Sequence, residues 1–87
     1  MRAQLITFLL REGPRNASTL ARNVRRDRST VSRHLQLMLR AGLLATVPSL
    51  TGDGRHETYA IDPRWRVPDE PMAIDVGTAL LRFGPRA

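Results

Sequence analysis

The stretch "DRSTVSRHL", Asp27 to Leu35, gathers the hydroxyls of Ser29, Thr30 and Ser32, the guanidinium groups of Arg28 and Arg33, and His34 around only two apolar positions. These side chains are suited to a polar, anionic surface. An arginine fork grips O6 and N7 of guanine with two hydrogen bonds, and a glutamine such as Gln36 pairs with adenine. Hydroxyls beside the free N–H groups of a helix N-terminus suit phosphate oxygens. A lysine in place of Arg33 would lose the planar fork. Arg22, Arg25, Arg26 and Arg28 ring the turn at its start; they read as phosphate clamps or simply as solvated groups.

Other chemistry is thin. The chain has no cysteine, which excludes a disulfide framework, a thiolate nucleophile and a cysteine-based metal site. His34 and His56 are too few and too far apart in sequence for a metal cage. His34 reads instead as a half-buried helix residue or a phosphate donor. Asp69 and Glu70 are adjacent in a proline-rich stretch with no partner base. No glycine-rich phosphate loop, catalytic triad or carboxylate pair stands out, so the expectation is no enzyme, no cofactor and no metal. Trp65 and Tyr59 read as packing residues rather than base-stacking platforms.

The elements that would carry "DRSTVSRHL" follow from periodicity and caps. Ala3, Leu5, Ile6, Leu9 and Leu10 recur at helical spacing, and Gly13 with Pro14 ends a first helix over residues 2–12. Asn16 is a suitable N-cap for a second, short helix, Ala17–Val24, with Leu20, Ala21 and Val24 inward. Asp27 caps a third from Arg28 to Ala41, on which Val31, Leu35 and Met38 make an i, i+4, i+7 stripe. Gly42 ends that helix, and Leu43 returns to the core. On this helix Ser29, Thr30, Arg33, Gln36 and Arg40 face outward, with Ser32 at the flank.

Beyond Gly42 the period changes. Leu43–Val47 and Glu57–Ile61 are strand-like runs, and the glycine-rich stretch between them makes a hairpin with a long tip carrying Arg55 and His56. Asp62–Pro71 holds three prolines and reads as a strap with no regular element. Residues 72–83 alternate as a strand through Ile74, Val76, Thr78 and Leu80, which is the favoured reading because Gly77 weakens a helix; a short helix is the alternative.

Eighty-seven residues make one small domain. All fourteen basic residues are arginine against eight acids, a net charge of +6. Residues 1–60 hold ten arginines and four acids, whereas 61–87 hold four of each. The basic character belongs to the N-terminal two-thirds and points to a polyanion partner; solubility or a codon bias toward arginine is the plainer account. The opening run lacks the length and cleavage site of a signal peptide, and no stretch approaches a membrane span, so the expected location is cytoplasmic.

Two helices joined by a short turn, the second capped and polar outside, then a β-hairpin: with "STLARNVRRDRSTVSRHLQLMLRAGLL" and "GDGRHETYAI", residues 2–62 resemble the winged helix–turn–helix transcriptional regulators of the ArsR and MarR kinds. The resemblance implies a DNA-binding regulator, usually a homodimer, of α+β fold with three helices and a β-hairpin wing. Beside the resemblance, the helix face, the arginine-ringed turn and the wing make Arg22, Arg28, Ser29, Thr30, Ser32, Arg33, Gln36, Arg55 and His56 the expected DNA contacts, with loop solubility the plainer account of Arg55 and His56. The chain departs from the family at Arg25, commonly glycine, and at Arg26, commonly apolar, so the turn must either strain a non-glycine residue or take another path. Leu37 and Leu39 are more apolar than the family's usual residues; Leu37 reads as a subunit or tail contact, or as covered by the strap.

The expected organisation is a DNA-binding domain over 1–62, a strap over 63–71, and a dimerisation element over 72–87 in which Ile74, Val76, Leu80 and Phe83 are buried against a second chain. The expected function is sequence-specific binding of double-stranded DNA as a homodimer that regulates transcription. A winged-helix protein adaptor, and an RNA or single-strand binder, are the competing readings.

Overall fold

The computed structural model describes residues 1–48 and 57–83. Helix α1, Arg2–Glu12, buries Leu5, Ile6, Leu9 and Leu10; Ala3, expected on that face, is exposed. Gly13 ends the helix at φ 83, its N–H donating to the Leu9 carbonyl at 2.9 Å. Helix α2, Ala17–Val24, starts as expected at Asn16, whose side chain accepts from the Thr19 N–H at 2.9 Å. Helix α3, Arg28–Arg40, buries Val31, Leu35 and Met38, the stripe read from the sequence. Its end is a full Schellman closure: Leu43 N–H bonds to Met38 O, and Gly42 N–H to Leu39 O, with Gly42 at φ 82. It is Leu44, at 2% exposure, that sits deepest beyond the turn; Leu43 is half-buried.

Three strands close the first sheet. Arg15–Asn16 forms β1, Leu44–Val47 forms β2 and Thr58–Ile61 forms β3, in the antiparallel order β1-β3-β2. The wing hairpin pairs Leu44 with Ile61 through to Val47 with Thr58. Its tip, with Arg55 and His56, lies outside the described residues.

The segment after the wing corrects the sequence reading. Asp62–Pro71 is not an irregular strap. It contains a 3-10 turn, Pro63–Trp65, strand β4, Arg66–Val67, and the start of strand β5, Glu70–Asp75. Each proline stands where no ladder N–H is required: Pro63 opens the 3-10 turn, Pro68 sits in the two-residue turn between paired Val67 and Glu70, and Pro71 falls at the bulge between the two β4–β5 pairings. Strand β6, Leu80–Arg82, completes a second antiparallel sheet, β4-β5-β6. The strand reading of residues 72–83 therefore holds on either side of Gly77 but not through it. Gly77, at φ 90, turns the chain, with its N–H bonded to Asp75 Oδ1 at 2.8 Å.

This second sheet belongs to the same core. Strand β5 packs on α1, and Ile74, at 1% exposure, joins Leu5, Leu9, Leu20 and Leu35 in one hydrophobic cluster. Val76 and Phe83 pack partly against the cluster, whereas Leu80 is 43% exposed. The expected interface set is thus split: Ile74 is consumed within the chain and only Leu80 stands clear of it. The expected boundary between residues 71 and 72 lies inside β5. Trp65 ties this region to α3, donating its indole N–H to Gly42 O at 2.6 Å while Arg64 stacks on the ring at 4.9 Å. Arg64 also ion-pairs with Asp62 at 3.2 Å. Leu37 remains 43% exposed, so the strap does not cover it.

Candidate nucleic-acid interface

Burying Val31, Leu35 and Met38 turns the opposite side of α3 to solvent, and Ser29, Arg33, Gln36 and Arg40 are exposed there, with Thr30 and Ser32 half-buried. Arg22, Arg25, Arg26 and Arg28 are all exposed around the α2–α3 turn. The turn takes the strained of the two routes open to it. Arg25 adopts φ 57, ψ 44, the left-handed conformation, and Arg26 N–H reaches back to Ala21 O at 3.1 Å. That is a helix closure of the kind glycine usually supplies, with an arginine in glycine's place.

A left-handed non-glycine residue costs ~1–2 kcal/mol, and glycine returns ~0.5–1 of that through its larger unfolded-state entropy. Arg25→Gly is therefore expected to stabilise the domain by ~0.5–1 kcal/mol in urea denaturation. A loss of stability would show that the arginine side chain holds the turn by contacts that outweigh the strain.

The N-terminal turn of α3 differs from the expectation in one respect. The Ser29 hydroxyl donates to Asp27, as does Thr30 Oγ1 at 2.7 Å, and the Thr30 N–H joins them at 3.0 Å. These donors were expected to meet phosphate oxygens; here a carboxylate of the chain already occupies that role. A side chain two or three residues away reaches them at little entropic cost. The same bonds, Ser29 first, hold the Asp27 carboxyl well below its ordinary value. Since the folded-state pKa is depressed, the capping contribution is fully present above the ordinary value of 3.8 and is lost as pH falls below it.

Between the N-terminus of α2, α3 and the wing lies a polar cleft of about 310 Å³, lined by Asn16, Ser18, Arg28, Ser32, Glu57 and Tyr59 among others. At its edge Gln36 Nε2 donates to Tyr59 Oη at 3.1 Å, and Tyr59 Oη donates to Glu57 Oε2 at 3.0 Å. Tyr59 is 5% exposed, and burial, with the Glu57 carboxylate second, pushes its phenol up. The sequence reading treated Tyr59 as packing and passed over Glu57. Their i, i+2 spacing in the strand-like run Glu57–Ile61, which would put both on one face, was the available signal. Of the expected contact residues, Arg28, Ser32, Arg33 and Gln36 lie on α3 with exposed or half-buried side chains, Arg22 lies on α2, and Arg55 and His56 are outside the described residues.

His34 is half-buried and accepts from Arg2 Nε at 3.4 Å. Among the described residues no three potential ligands cluster to hold a metal, and no helix is long and apolar enough to cross a membrane.

Two solved structures share this architecture. The Zα domain of PKZ from Carassius auratus, crystallised in complex with Z-DNA, aligns over 69% of this chain and 89% of its own at 25% identity, with a TM-score of 0.60. The adhesin competence repressor AdcR of Streptococcus pyogenes aligns over 69% of this chain and 44% of its own at 17% identity, with a TM-score of 0.58. A comparison with curated proteins finds no match. Three helices, the α2–α3 turn and the β2–β3 wing make the fold an α+β winged helix–turn–helix. Residues 1–47, more than half of the chain, match the family described as the helix-turn-helix domain, and the chain belongs to that family.

Proposed function

We propose that this protein binds double-stranded DNA in a sequence-specific way through α3 and regulates transcription as a homodimer, in the manner of the ArsR and MarR regulators. The observation that carries the reading is the exposed Arg33–Gln36 face of a capped helix, opposite a fully buried stripe and beside four exposed arginines at the turn. An α-helix fits the major groove, where those two side chains distinguish base pairs, while arginines off the helix face neutralise phosphates.

The homodimer rests on β6. It is the last strand of its sheet, and Leu80 and Leu81 are each 43% exposed on it. An apolar edge strand invites pairing, and two copies joined antiparallel about a two-fold axis satisfy both edges. Reading helices about 34 Å apart then match one turn of duplex.

The test is a titration against random, genomic and left-handed (CG) repeat duplexes at two salt concentrations, the last because the Zα neighbour is bound to Z-DNA. With about four phosphates neutralised per chain, about eight for the dimer, affinity should fall roughly ten-thousandfold between ~50 and ~200 mM salt. Binding that ignores salt would instead favour a protein adaptor working through Leu37, Leu80 and Leu81. Preference for the left-handed repeat would replace base reading with shape reading. Sedimentation of Leu81→Asp as a folded monomer, beside a dimeric parent, is the expected result for the edge contact.

A further inference from the structure

A glutamine amide on an exposed helix can present either its oxygen or its nitrogen to a base, because a half-turn about its last bond exchanges them. A freely turning Gln36 would offer two donors to guanine, an acceptor to cytosine, and one of each to adenine, with little discrimination. The hydrogen bonds behind Gln36 remove that freedom. We propose that Tyr59 and Glu57 are positioning residues that fix the polarity of the Gln36 amide, so that Gln36 reads adenine. This rests on the DNA-binding reading above and adds to it the base that one position takes.

The polarity follows from proton accounting. A carboxylate only accepts hydrogen bonds. Tyr59 has one proton, and it goes to Glu57 Oε2 at 3.0 Å. Tyr59 Oη then faces Gln36 with lone pairs alone, so the partner 3.1 Å away must be the Nε2 donor. The rotated amide would set Oε1 against Oη with no proton between them. With one N–H committed to Tyr59, Gln36 has one N–H and one carbonyl oxygen left. Adenine presents the complement of that pair in the major groove, the N7 acceptor and the N6 donor. Guanine presents two acceptors there and would face the fixed Oε1 unfavourably.

The pivot is rigid. Tyr59 is held on both sides of its strand, paired with Arg15 of β1 and Thr46 of β2, and its ring is buried in the core. Glu57 is exposed beside the proposed DNA face, where a negative charge opposes phosphate. General attraction to DNA does not account for a carboxylate there; holding the tyrosine proton does.

The experiment selects preferred duplexes from a random library with the full chain, then measures affinity for the selected site and its single-base variants. Gln36→Ala should abolish the preference at one base pair, an A·T pair. Tyr59→Phe, which keeps the ring in the core, should lower the ratio of selected to substituted duplex at that same pair by about tenfold, with the loss falling on the selected duplex. Glu57→Ala, at an exposed position, should do the same without touching the core, and circular dichroism checks that both variants fold. If Gln36→Ala erases a preference that Tyr59→Phe and Glu57→Ala leave intact, the positioning role is overturned while the DNA reading stands. A preference at the Gln36 position for anything but A·T overturns it as well. A parent chain that selects no duplex at all overturns both.

Discussion

Ile74→Ala is expected to cost ~2–5 kcal/mol of unfolding free energy, measured by urea denaturation. Ile74 is 1% exposed and belongs to the cluster formed by the three helices and the wing. Removing its outer carbons forfeits the transfer energy and leaves a void that α1 and β5 are too constrained to fill. A chain of 87 residues has roughly 4–13 kcal/mol of stability in all. The substitution therefore removes a large share of it. Leu80→Ala, on the exposed strand of the same sheet, is expected to stay within ~0.5 kcal/mol in the isolated chain. Deleting residues 70–87 should abolish cooperative unfolding altogether, because α1 loses the strand that covers it. A truncated chain that still unfolds cooperatively would show that the second sheet is an appendage, and equal losses at Ile74 and Leu80 would point to burial between chains instead.

How much of this was legible in the sequence depended on the range of the interactions involved. The helices were legible because their signals are local: the stripes of α1 and α3, the caps Asn16 and Asp27, and the terminating Gly13 and Gly42 each act within a turn or two. The wing was legible from its alternation. Strand β1 was not, since two residues have no period and Arg15–Asn16 is a strand only because β3 lies beside it. The second sheet was missed for a different reason. Three prolines in ten residues argue against a ladder, yet turn, bulge and 3-10 positions ask for no N–H, and all three prolines occupy such places.

At the candidate interface the buried stripe alone sets which residues of α3 face out. The hydrogen-bond commitments of those residues were hidden. Ser29 and Thr30 satisfy Asp27 before any ligand, a competition that a list of polar residues does not show. Gln36 meets Tyr59 across 23 residues of sequence, a contact visible only once α3 and β3 are adjacent.

Arg33 is the side chain whose loss is expected to change DNA binding most. It is exposed in the middle of α3, and its side chain makes no hydrogen bond or ion pair among the described residues. Replacing it by alanine should cost ~1–3 kcal/mol on the selected duplex, about 5- to 150-fold in affinity, and relax the preference at one base pair, a G·C pair if the fork spans O6 and N7. Arg22→Ala is the control with the opposite signature. Off the reading helix, it should weaken selected and random duplexes alike and lower the salt slope by about two, one for each chain of the proposed dimer. The two are separated by measuring each variant on selected and random duplex at two salt concentrations. Arg33 reads a base if its loss narrows the gap between those duplexes. It is a phosphate clamp if the gap holds while the salt slope falls, in which case base reading shifts to Gln36.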